Sequence, residues 1–177
     1  MRNKNIARDI TVTAVMAVLL EISKLALSWV ANVELVSFFV IMFTLFLGKK
    51  VFAALPVFIL VEGLIYGFGI WWIMYVYVWP ALAVAVCLLK KYDSRFFWTV
   101  FSCIFGLSFG ALCSVPYIFV GSAGGSIING LKTAVMWWIA GIPFDIVHAV
   151  ANAAIMFLLY KPVKNVLCTI KTAYLKE

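Results

Sequence analysis

Long apolar runs, broken by pairs of lysines and by glycine or proline rather than by polar loops, fill almost the whole chain. This feature decides what the chain can fold into. At 1.5 Å per helical residue, about 20 apolar residues cross ~30 Å of hydrocarbon, and the runs reach that length. With 66% hydrophobic and 12% charged residues and a mean hydropathy of +1.12, there is too little polar surface to cover a water-soluble globule. The sequence therefore predicts an all-α polytopic membrane protein, one integral membrane domain over residues 1–177, without a soluble catalytic domain. The run from Ile10 to Ala31 follows a short basic start with no A-x-A-like cleavage site, so it reads as a retained first span.

Charge pairs and Gly or Pro punctuation divide the chain into six expected helices in a compact bundle, at about 10–31, 33–48, 51–69, 71–89, 96–120 and 133–160. An amphipathic tail, 163–177, is expected to lie on the inner membrane surface, with Val163, Val166, Leu167, Ile170 and Tyr174 on one face. Arg2, Lys4, Arg8, Lys49, Lys50, Lys90, Lys91, Arg95, Lys161, Lys164, Lys171 and Lys176 then all fall on one side. Cytoplasmic loops accumulate such residues, which predicts a multi-pass protein of the cell membrane with both termini in the cytoplasm. The net charge of +7 follows from topology, and nucleic-acid binding is not needed to explain it. The four cysteines form no C-x-x-C pair and suggest neither a disulfide nor a metal site.

Counting residues from each end puts Asp145 and His148 near the midplane, Asn152 beyond them, and Glu62 just outward of the middle. Glu34 and Asn129 lie near the outer surface. Asp145, His148 and Asn152 follow an i, i+3, i+7 pattern and share one helical face. A charge at membrane depth costs about 2.5–3.5 kcal/mol, so it faces a partner or a watery cavity. Tyr66, Trp71, Trp72, Tyr75, Trp79 and Trp137 belong to the outward ends of their helices, where aromatic rings can enclose a flat ligand or form an interfacial belt. The plain alternatives are that Asp145 and His148 hydrogen-bond each other or a neighbouring helix as structural glue, and that Glu21 and Lys24 form an intrahelical ion pair. D-x-x-H lacks a second His, so no metal or other cofactor is expected. No Walker loop, G-x-S-x-G or H-E-x-x-H occurs, so the chain is not expected to be an enzyme and cannot drive transport by ATP alone.

Residues 32–36 (NVELV), Leu47-Gly48-Lys49-Lys50, the Glu62-to-Gly67 stretch, Trp71-Trp72 and the span from Gly141-Ile142-Pro143-Phe144-Asp145 to Lys161-Pro162 together resemble the substrate-binding S components of energy-coupling factor transporters. The resemblance covers the whole chain. It implies capture of a vitamin-like micronutrient from outside, and delivery inward in company with a transmembrane coupling protein and two cytosolic ATPases. The candidate binding residues, chosen by depth, helical face and residue type, are Glu34, Glu62, Tyr66, Trp71, Trp72, Tyr75, Trp79, Asn129, Trp137, Asp145, His148 and Asn152. Members usually carry A-x-x-x-A in the first helix, where the coupling protein docks. Here Thr13 and Ala17 have that spacing and Ala14 lies between them, which makes these three the implied docking residues. The competing expectation is a Trp-rich membrane sensor or scaffold that holds a small molecule or lipid without transport. A third, an intramembrane enzyme using Asp145 and His148, lacks a recognisable nucleophile.

Overall fold

The computed structural model describes residues 2–175, with side chains from 6 to 173. Among these residues all the regular secondary structure is helical, with no strand. The helices are α1 (Arg2–Ala26), α2 (Val36–Leu47), α3 (Val51–Tyr66), α4 (Ile70–Leu89), α5 (Arg95–Cys113), α6 (Val115–Gly121) and α7 (Ile127–Leu175), with 3-10 turns at Gly48–Lys50 and Ser122–Gly124. Among the described residues they group into five stretches, because only the three-residue 3-10 turn Gly48–Lys50 joins α2 to α3, where the chain reverses, and α5, α6 and the second turn follow one another without a gap. Apart from α1, the stretches Val36–Tyr66, Ile70–Leu89, Arg95–Gly124 and Ile127–Ala173 are long and apolar enough to cross a membrane. The six separate helices expected from the sequence are thus corrected to five stretches, four of which have this character.

The boundaries move for identifiable reasons. α1 stops at Ala26 and not at residue 31, because turn bonds take over, such as Val30 N–H to the Leu27 carbonyl at 2.9 Å, and Asn32 adopts φ 59°. Gly48 (φ 69°) and Gly67 (φ 86°) end α2 and α3, conformations that cost glycine little. The expected helix 96–120 breaks at Ser114, because Pro116 has no N–H to give the Leu112 carbonyl and its ring crowds that oxygen. The Tyr77 hydroxyl donates to Leu112 O instead, at 2.6 Å. The expected tail is continuous with the helix before it. α7 runs through Pro143 and Pro162 as one helix of 49 residues. At 1.5 Å per residue that is roughly 70 Å, more than twice the hydrocarbon thickness. Its continuation is held by Leu167 in the core and by Lys164, whose ammonium donates to both Asp93 oxygens at 2.6 Å. With Tyr160 donating to the same carboxyl at 2.8 Å, these bonds keep Asp93 below its ordinary range. Residues 176 and 177 of the expected tail lie outside the described residues.

Pairs of contacts fix the directions. Lys50 meets Asp9 at 2.5 Å and Lys24 meets Glu62, so α1 and α3 run the same way. Ser37 meets His148, and Phe46 meets Tyr160, so α2 runs with α7. Gly110 meets Asp145, and Ser102 bonds to Asn152 O, so α5 runs against α7. Lys49, Lys50, Lys90, Lys91, Arg95, Lys161 and Lys164 consequently gather at one end, while residues 27–35 and 67–69 lie at the other. Between the two ends sits a core whose fully buried large side chains include Trp79, Trp98, Phe38, Phe43 and Phe58.

Candidate functional site

Two adjoining cavities open at the end away from the basic cluster, beneath the segment 27–35. The first, about 360 Å³, is lined by Lys24, Glu34, Tyr66, Tyr75, Phe109 and His148 among others. The second, about 510 Å³, is walled by Trp71, Phe109, Trp137, Phe144 and Asp145. Asn32, Tyr75 and Phe109 line both, so the two cavities adjoin across these residues.

Ser37 links two of the polar groups, and a backbone N–H holds the third. Glu34 Oε1 accepts the Ser37 hydroxyl at 3.1 Å and lies 3.5 Å from His148 Nε2. His148 Nε2 is also 3.4 Å from the Ser37 Oγ, and its ring packs on Phe109 with centroids 4.7 Å apart. Burial pushes the Glu34 carboxyl up to about 7, although the Ser37 bond and the charge of Lys24 pull the other way. Glu34 therefore changes charge near neutral pH. Asp145 Oδ1 accepts the Gly110 N–H at 2.9 Å. Asp145 and His148 do not bond to each other; each meets a neighbouring helix instead, Asp145 through Gly110 of α5 and His148 through Ser37 of α2. They share the buried face of α7 with Asn152, as their spacing predicts.

Lys24 departs from the sequence reading. Its ion pair is with Glu62 of α3, not with Glu21 of its own helix. The ammonium also lies 4.9 Å from the Tyr66 ring, 5.4 Å from Trp71 and 4.9 Å from Tyr75. Three rings and a carboxylate hold one cation, an arrangement worth more as it is desolvated. The Glu62 charge is thereby neutralised, and a face of each ring is already engaged.

The expected residues divide accordingly. Glu34, Tyr66, Trp71, Tyr75, Trp137, Asp145 and His148 line the cavities. Glu62, Trp79 and Asn152 are each 0% exposed and line neither. Asn152 is set deeper, beside Ser102, and Trp79 is core. Trp72 is tied down by donating to Ile59 O at 2.8 Å and packs against Phe68. Asn129 is exposed at the start of α7, away from both cavities. Of the implied docking residues, Ala17 is 5% exposed and belongs to the core, so a partner can reach only Ala14 and the half-buried Thr13.

Sequence reasoning missed Asn32, Phe109 and Gly110. The signal for the last was present: Gly106 and Gly110 form a G-x-x-x-G pair, which lets a second helix approach closely. α7 makes that approach, and it carries His148 and Asp145 into place. No family model, curated protein or solved structure matches this chain.

Proposed function

We propose that this protein captures a small ring-bearing micronutrient and passes it across the membrane as the S component of an energy-coupling factor transporter. The observation that supports this most is the paired cavity. Its volumes lie within the range of about 300–1,000 Å³ usual for small-molecule sites. Tyr75 and Phe109 border both cavities and offer ring faces to a flat ligand, and Glu34 in the first cavity and Asp145 in the second can accept hydrogen bonds from its substituents. His148 adds a ring nitrogen. In this reading the basic end faces the cytoplasm, both termini lie there, and the cavity opens outward across the cell membrane. A coupling protein with two ATPases supplies the energy, since the chain has no nucleotide-binding loop.

The test is mass spectrometry of small molecules retained by the purified protein, followed by titration of the molecule found. A single ring-bearing species should be retained. Asp145→Asn should weaken its binding ten- to a hundredfold, the value of a charge-assisted hydrogen bond of about 1.5–3 kcal/mol. Undiminished affinity in both Asp145→Asn and Glu34→Gln would remove the cavity as the binding surface.

Orientation is tested separately. In a background without native cysteines, an impermeant thiol reagent applied to intact cells should label Ser122→Cys and spare Lys91→Cys. The opposite pattern overturns the outward-facing cavity.

A further inference from the structure

A third cavity lies at the opposite end, where the ligand reading has no use for it. It encloses about 480 Å³ between the start of α1, the turn between α2 and α3, the end of α4 and the extension of α7. Its wall is apolar, with Val12, Leu45, Phe46, Leu47, Cys87 and Ile170. Its rim carries four lysines, Lys49, Lys50, Lys90 and Lys171, and no acidic residue lines it. Lys50 is paired with Asp9, while Lys49, Lys90 and Lys171 are exposed.

We propose that this cavity binds an acidic phospholipid, with the acyl chain against the apolar wall and the phosphate among Lys49, Lys90 and Lys171. Three observations carry this. The lysines come from three elements that are distant in sequence but meet at one mouth, so the positive charge is focused and not spread along a loop. The cavity sits at the basic end of the spanning helices, the depth at which basic pockets between helices meet lipid headgroups. Its volume is that of a small-molecule site and is too small to seat a protein helix, which is about 10 Å across with its side chains. An isolated phosphate would use the rim and leave the apolar wall bare; a lipid satisfies both.

The probe is phosphatidylglycerol, compared with phosphatidylcholine, each doped into micelles of the purified full chain and followed by native mass spectrometry. With about fivefold from each of three lysines, phosphatidylglycerol should be retained roughly a hundredfold better. Each lysine near a charged headgroup is worth about fivefold, so Lys49→Gln/Lys90→Gln should reduce the preference by roughly twentyfold. A charge-matched control at the same end, Lys91→Gln/Lys161→Gln, should leave it within about twofold. The substituted side chains are exposed, and an unchanged melting temperature will confirm that folding is intact. Equal loss in the control would overturn the site in favour of general surface charge. Displacement of the lipid by millimolar glycerol phosphate would overturn the lipid as occupant, leaving a soluble phosphate in its place. Equal retention of the two lipids would overturn the proposal altogether.

Discussion

Replacing Lys24 by methionine is expected to destabilise the ligand-free protein by about 3–5 kcal/mol, the largest single effect foreseen here. The reason lies in the residue left behind. Glu62 is 0% exposed, and its Oε1 has no hydrogen-bond partner, so Lys24 is what makes its charge tolerable at that depth. The methionine keeps much of the aliphatic stem and its packing on the rings of Tyr66 and Tyr75, but it removes the cation that those rings and the carboxylate surround. An uncompensated buried carboxylate is more costly than the loss of one attractive contact. Thermal or denaturant unfolding in detergent measures the change. The double variant Lys24→Met/Glu62→Leu should recover all but about 1 kcal/mol, because replacing both members of a buried pair by apolar groups is often close to neutral. That non-additivity distinguishes a true pair from two independent residues. If the single and double variants were equally destabilised, the pair would not be what holds α1 to α3.

The pair also shows where the sequence could be read and where it could not. Hydropathy alone marks the helical, membrane-compatible character of the chain, because apolar length is a local property. The alignment of Asp145, His148 and Asn152 on one face follows equally locally from helical periodicity. The partner of Lys24 is different. Glu21 is three residues away and Glu62 is thirty-eight, and spacing favours the near one, yet α1 and α3 run side by side and bring the far one to it. The same non-local packing decides that Trp79 is core while Trp71 and Trp137 are cavity wall, although all three look alike as aromatic residues near helix ends. It also places Ala17 inside the fold, where a small residue in an exposed-looking stripe had suggested a docking face. The continuation of α7 past Lys161-Pro162 was hidden for a related reason. Proline and lysine mark an end in the sequence, and the anchors that override them, Asp93 and the core around Leu167, belong to other parts of the chain.

Gly106→Ala is expected to have the second largest effect, about 3 kcal/mol or somewhat more, at the upper end of what overpacking costs. A Cβ built at Gly106 would stand 2.6 Å from the Ala149 Cα, 2.8 Å from its nitrogen and 3.0 Å from the His148 carbonyl carbon. These are backbone atoms of α7, so no side-chain rotation relieves the clash and the two helices must separate. Separation withdraws Asp145 from the Gly110 N–H and His148 from the Phe109 ring, so ligand affinity should fall together with stability. Gly110→Ala provides the contrast. There the added Cβ meets the Asp145 carboxylate, a side chain that can swing aside. Its cost in stability should therefore be the smaller of the two, about 1 kcal/mol, while its cost in affinity should match that of Asp145→Asn. A second substitution sharpens the test: Ala149→Gly should not rescue Gly106→Ala, because the obstruction is the α7 backbone and not the Ala149 methyl. Rescue by Ala149→Gly, or full stability of Gly106→Ala itself, would mean that the close crossing of α5 and α7 is not what positions the walls of the cavity.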